Sequence, residues 1–395
     1  LKTSKRILSI DIMRGLTLFL MLFVNDLFES GVPKWLVHSK ATEDAMGLAD
    51  WVFPGFLFMV GLSIPFAFLS RRKKGDNNLD ILKHILIRTL SLLLIGVFMV
   101  NINELNSVLA GINKYLWAVL VYISIFLIWN KYPDKSSYSV LFKVLKGIGI
   151  LGLVLLAYIF KGGTEESPTW MTTGWWGILG LIGWGYFAGS ISYLLTRGKL
   201  IGVVILWIGF IVLNILSQLQ LLGFLNPMKP YFGVLISGNT PSIVLCGLVV
   251  GMLLKDNKDD FKKLMQILLP FGLLVLFIGF IFRNWFIISK MQGTPTWAMI
   301  CNGISILVFC LLFYVIDYLK ISKWSSIFKP AGQNSLTTYL APDIIYYTIW
   351  GFGWNILIYK QEESALLAVG GSIIWAFAMI GFAALLSKIN IRLKL

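Results

Sequence analysis

Apolar residues run through this chain in blocks of about 20, the length a helix needs to cross the hydrocarbon of a bilayer, with short polar breaks between them. Twelve such blocks are expected as spans, at approximately 7–27, 49–69, 82–101, 109–129, 142–160, 175–196, 200–222, 238–254, 264–286, 298–318, 331–350 and 364–386. The eleventh is interrupted by Pro342 and Asp343. No soluble domain fits between the blocks, and no internal repeat stands out. The expected fold is therefore all-α, a polytopic integral membrane helix bundle of about 12 helices (10–12 by this pattern), with residues 1–395 forming a single transmembrane domain. The first block is full length, and no small-residue cleavage pattern follows it, so a retained span is expected there rather than a cleaved leader.

Composition agrees with this pattern. At 57% hydrophobic and 13% charged residues, with mean hydropathy +0.79, the chain lies outside the soluble globular class. Its net charge of +15 would suit nucleic acid, but the cations are sorted by loop. Lys2, Lys5, Arg6, Arg71–Lys74, Lys131, Lys135, Arg197, Lys199, Lys255 and the later basic loops fall on one side. That side carries roughly 25 cations against about 8 on the other, and it is expected to be cytoplasmic. Both termini are then cytoplasmic, and the excess charge needs no nucleic acid partner. Cys246, Cys301 and Cys310 lie within apolar blocks at irregular spacing. They read as small core hydrophobes rather than metal ligands.

Polar groups inside the first two blocks carry the chemistry. The segment RILSIDIMRGLTLFLMLFVND places Asp11 and Arg14 three residues apart, and Asn25 follows Arg14 by eleven. At 3.6 residues per turn all three share one helix face, with Asn25 roughly 16 Å beyond Arg14. A charged group at membrane depth costs a few kcal/mol, so this face either makes a packing salt bridge or lines a polar track. The loop that follows holds His38 near Trp35, Asp26, Glu29, Glu43, Asp44 and Asp50. Imidazole can accept a proton near neutral pH, and the acidic surroundings favour an amine-bearing partner. Asp50 either caps the second helix or orients His38, and the two roles are compatible. His84 sits four residues from Arg88 and reads as a packing residue. Arg71, Arg72, Lys73 and Lys74 form a topology signal that would also receive phosphates, and Arg14 is the intramembrane residue placed to meet the same ligand.

The run SIDIMRGLTLFLMLFVND, the loop histidine and then GLADWVFPGFLFMVGLSI resemble the opening of the transmembrane acetyltransferases. That family includes heparan-α-glucosaminide N-acetyltransferases and NagX-type bacterial sugar acetyltransferases. Weaker echoes recur in NTPSIVLCGLVVGMLL, PTWAMICNGIS and AGQNSLTTYL. The resemblance implies a multi-pass enzyme of the bacterial cytoplasmic membrane that moves an acetyl group from cytoplasmic acetyl-CoA to an amino sugar such as glucosamine, without a metal. It places the catalytic histidine on His38, its asparagine partner on Asn25 and the aspartate of the D-x-V-F-P element on Asp50, and it implies a homodimer. This chain reads V-H-S-K where many relatives read H-A-x-W, and it holds an extra pair of spans around 170–222.

Acetyl transfer to an amine needs a base, an oriented imidazole and a donor to the oxyanion. His38, Asp50 and Asn25 would supply them in that order, with His38 either the base in direct transfer or itself transiently acetylated in a ping-pong route. The acceptor would meet His38 near the outer leaflet, with the pantetheine arm of the donor reaching it along the first helix. Two other functions fit the same spans: a small-solute transporter, and an O-acyltransferase acting on envelope glycans.

Overall fold

The computed structural model describes residues 7–133, 137–354, 356 and 364–395. Among the cations assigned to the basic side, Lys2, Lys5, Arg6 and Lys135 lie outside the described residues. Counting only long helices, the chain forms α1 (Leu8–Asn25), α2 (Leu48–Lys73), α3 (Asn78–Asn101), α4 (Lys114–Trp129), α5 (Ser139–Ile159) and α6 (Gly177–Leu195). It continues with α7 (Leu200–Gln218), α8 (Asn239–Asn257), α9 (Phe261–Phe282), α10 (Pro295–Leu312), α11 (Ser335–Phe352) and α12 (Ala365–Lys388). A single two-residue hairpin, Gly162–Gly163 with Pro168–Thr169, is the extent of named strand among the described residues. The protein is an all-α polytopic membrane bundle.

Ten helices among the described residues are long and apolar enough to cross a membrane. The fourth and eleventh expected spans differ, and each for a local reason. The fourth begins at Lys114 rather than near 109, because Gly111 takes φ +66° and ends a short helix. Asn113 then caps the new helix by accepting the Tyr115 and Leu116 N–H groups. The resulting 16 residues rise only about 24 Å, less than a typical hydrocarbon core. The eleventh is split at Asn334 into Lys329–Gln333 and α11, which contains Pro342.

Burial separates a central pair of helices from a rim. The most apolar windows of α2 and of the segment containing α8 are 72% and 78% buried, against 17% for α5 and α7. Between apolar helices in lipid, close backbone approach supplies the packing, and glycine permits it. A methyl on Gly247 would lie 2.0 Å from the Phe58 carbonyl oxygen, and one on Gly61 would lie 1.8 Å from that of Val244. Gly247→Ala must therefore push α2 and α8 apart. It is expected to destabilise the bundle by about 2 kcal/mol, read as a lowered melting temperature in detergent.

The opposite ends of the bundle have distinct partners. Asp317, just beyond α10, accepts the Leu8 and Ser9 N–H groups at 3.0 and 2.9 Å and so caps α1 from a distant element. At the other end, the loop between α1 and α2 is fastened to the loop between α9 and α10. Asp44 accepts from Arg283 Nε at 2.8 Å and from the Ile288 N–H at 2.7 Å. The Ala41 carbonyl accepts from Ser289 Oγ at 3.0 Å and from Gln292 Nε2 at 2.8 Å. The Ile288 N–H holds the Asp44 carboxyl below the usual aspartate range against the opposing effect of desolvation, and Arg283 adds to it.

Candidate active site

Helix α2 begins at the site. Gly47 precedes it in an extended conformation, and the Asp50 side chain turns back to accept the Gly47 N–H on Oδ2 at 3.0 Å, closing the first turn. The same oxygen accepts the Ser39 N–H at 3.0 Å, which draws the preceding loop onto the helix end. Oδ1 remains for His38, whose Nδ1 lies 2.7 Å away. Capping and orientation therefore coexist in one carboxylate.

That arrangement decides the tautomer. Both Asp50 oxygens accept hydrogen bonds, so Nδ1 of His38 carries the proton and Nε2 presents a lone pair. Asp50 is 1% exposed, whereas the His38 side chain is 33% exposed and reachable from outside the bundle. The backbone beneath the pair is also held: Trp297 Nε1 donates to the Asp50 carbonyl at 3.1 Å, and Trp51 Nε1 donates to Ser305 Oγ at 3.1 Å. Asp50→Asn would offer an amide N–H to Nδ1 and favour the wrong tautomer. A drop in kcat of roughly 10²–10⁴ is expected, with α2 still capped through the amide oxygen.

A second cation-bearing side chain reaches the pair from 252 residues away. Lys290, on the loop between α9 and α10, places Nζ 3.3 Å from each ring nitrogen of His38 and 3.5 Å from the Ala49 carbonyl. Burial pushes the Lys290 ammonium below the ordinary lysine range, and Asp50 and Glu29 pull partly against it. No sequence motif marks this residue. The available signal was one lysine inside an aromatic, apolar loop, FRNWFIISKMQ.

Asn25 is the last residue of α1 and is exposed, while its neighbour Asp26 is buried and accepts from Tyr346 Oη at 3.0 Å. No hydrogen bond joins Asn25 to His38 or Asp50 among the described residues. It belongs nonetheless to a continuous stripe, since Arg14, Leu18, Met21 and Asn25 follow at helical spacing.

The first three of those residues line a cavity of about 290 Å³. Its far end is polar and cationic, with Arg14, Arg88, Lys394, Ser63 and Asn334. Its interior is apolar, with Leu18, Met21, Phe56, Val60 and Leu92. Arg14 is fixed there by bonds to the Gly332 carbonyl and to Ser63 Oγ. His38 does not line this cavity. Along α2 the cavity stops at Phe56, six residues and about 9 Å short of Asp50. The Trp51 ring occupies that interval, packed within 3.2 Å of where a Gly55 side chain would begin.

The basic block divides. Arg71 pairs with Asp76 at 3.1 Å, and Arg72 donates to the Asp76 carbonyl at 3.2 Å and to Asn78, so both close the turn from α2 to α3. Arg72 lines a separate cavity of about 640 Å³ with Arg197 and Lys255. Lys73 and Lys74 are exposed. His84 is half-buried near Arg71 and Arg88, away from the His38 end. No group of three or more metal-ligating side chains occurs among the described residues.

Residues 6–220 match a family described as a domain of unknown function, DUF5009. Heparan-alpha-glucosaminide N-acetyltransferase of Mus musculus is 30% identical over 148 residues, which is 34% of this chain and 21% of the mouse protein. The protein of the same name from Homo sapiens is 36% identical over 98 residues, covering 25% of this chain and 14% of its own length. The chain thus aligns with about a fifth or less of the relatives it matches.

Proposed function

The chain belongs to the DUF5009 family, and we propose that it is a membrane acetyltransferase that moves an acetyl group from acetyl-CoA to the amine of an amino sugar. The observation that carries this reading is the His38–Asp50 pair, a half-open imidazole whose Nδ1 is committed and whose Nε2, 3.3 Å from Lys290 Nζ, keeps the lone pair that takes a proton. Similarity to two N-acetyltransferases supplies the reaction class.

In this reading the acceptor approaches His38 from the loop end, where Glu29 adds negative charge that suits a protonated amine. The ammonium first gives one proton to water, and Nε2 removes a second as the neutral nitrogen attacks the thioester, while Asp50 stabilises the imidazolium that forms. Asn25, at the same end of the bundle, offers its amide N–H to the oxyanion. The donor would bind from the opposite, basic end, which faces the cytoplasm in this reading; the excess of Lys and Arg there supports that orientation. Arg14 is the principal phosphate contact there, with Arg88 and Lys394 beside it in the cavity. Arg71, Arg72, Lys73 and Lys74 contribute a field that attracts the same anion rather than a wall of that cavity. Pantetheine would extend over the apolar stripe Leu18–Met21 toward Asn25. The last interval opens only if Trp51 leaves Ser305, so donor binding and Trp51 movement are coupled in this scheme.

Purified protein incubated with acetyl-CoA tests the proposal through CoA release. Release should require an amino sugar with a free amine, so glucosamine supports it and N-acetylglucosamine does not. Equal release with both sugars would point to a hydroxyl acceptor. No release with any amine would remove the reading.

A further inference from the structure

Lys290 is placed where the reacting carbonyl would have to be. The amine proton goes to Nε2 of His38, so the carbon under attack lies within a few ångströms of that atom. Lys290 Nζ is already 3.3 Å from it. An ammonium has three N–H donors, and the surroundings use few of them. Nδ1 cannot accept, because its proton is engaged by Asp50. The Ala49 carbonyl is at the limit of bonding distance, 3.5 Å. Nε2 is then the one good acceptor in reach, and it ceases to be one when it takes the amine proton. At that moment the ammonium needs a new acceptor, and an oxyanion forms beside it.

We infer that Lys290 donates from Nζ to the thioester oxygen as it becomes an oxyanion. This inference rests on the acetyl-transfer reading. The acceptor nitrogen bonds to the carbonyl carbon, and the carbonyl electron pair moves to oxygen, where Lys290 holds it. The pair then returns, the carbon–sulfur bond breaks, and the thiolate takes the proton from Nε2 to leave as CoA thiol. Lys290 keeps its proton throughout. Asn25 donates an amide N–H to the same oxygen, and Lys290 adds an ionic donor, which is the stronger kind.

The local charges favour this use of a lysine. His38, Asp50, Glu29 and Cys301 face Nζ, and Asp50 and Glu29 balance its charge. Partial burial limits the water that competes for its N–H groups. The loop carrying it is pinned by Ser289 Oγ and Gln292 Nε2 to the Ala41 carbonyl, on the same loop that carries His38. Both side chains therefore keep their separation.

Lys290→Met and Lys290→Arg, compared with wild type and His38→Ala across pH, test the inference. Lys290→Met should lower kcat by roughly 10²–10³ while the KM for acetyl-CoA stays within about threefold. Lys290→Arg should recover much of that loss. It should also carry the alkaline limb of the pH–rate profile upward, since guanidinium stays protonated where this lysine does not. A Lys290→Met enzyme turning over within about threefold of an active wild type would overturn the inference and leave the acetyl-transfer reading intact. So would an alkaline limb that is identical in Lys290→Arg and wild type, a comparison that stands even where Lys290→Met fails to fold. An inactive wild type would instead remove the reading and this inference together.

Discussion

His38→Ala is expected to reduce kcat for acetyl transfer by about 10²–10⁴ while acetyl-CoA still binds. The reason is proton inventory. An amine that attacks a thioester must lose a further proton from its nitrogen, and without a base the tetrahedral adduct collapses back to reactants. Nε2 of His38 is the acceptor oriented for that task, since Asp50 commits the other ring nitrogen at 2.7 Å. Loss of the imidazole leaves the cavity, Arg14 and the capped start of α2 in place, so KM for the donor should move little. The effect should shrink at high pH, where hydroxide can take that proton in place of the imidazole. His84→Ala is the control. His84 lies near Arg71 and Arg88 at the opposite end, and its removal should change kcat by no more than about twofold.

Arg14→Ala should act on the other parameter. The guanidinium is held at the basic end of the cavity by the Gly332 carbonyl and Ser63, where its charge borders the space a phosphate would enter. A charge-assisted hydrogen bond contributes about 1.5–3 kcal/mol, so KM for acetyl-CoA should rise by roughly 10- to 150-fold. Once the donor is bound, kcat should be close to that of wild type. Arg72→Ala separates contact from field. Arg72 lines a different cavity and bonds Asn78, so its loss should raise KM by only about threefold, and added salt should erase the difference. A KM that responds to Arg72 and ignores Arg14 would move the donor site to the cavity of Arg72, Arg197 and Lys255.

Much of this architecture is legible in the residues because the bilayer imposes a length on apolar runs. Each expected span overlies a helix. The fourth falls short of a full crossing at turn chemistry, Gly111, that an apolar average conceals, whereas the eleventh keeps an 18-residue helix whose apolar character is diluted by Pro342, Asp343 and its threonines. The pairing of His38 with Asp50 was within reach because only twelve residues separate them, and a cap residue must lie near the loop that enters its helix. The stripe from Arg14 to Asn25 follows from helical period alone, and the cavity runs beside it from Arg14 to Met21.

Other parts of the site were hidden for physical reasons. Lys290 meets His38 across 252 residues, through a loop-to-loop clamp that no periodicity encodes. Arg88 and Lys394 read as topology cations, because sequence position gives the side of the membrane and not the cavity that a side chain enters. Arg71 and Arg72 illustrate the converse. A run of four cations suggests one anion site, yet Asp76 and Asn78 engage two of its members at the turn.

The most direct test encloses acetyl-CoA in sealed proteoliposomes and supplies glucosamine only outside. The account predicts acetylated sugar outside and CoA retained inside, in wild type and not in His38→Ala, for the protein oriented with its basic end inward. Acetylation that occurs only when donor and acceptor share one compartment would contradict it.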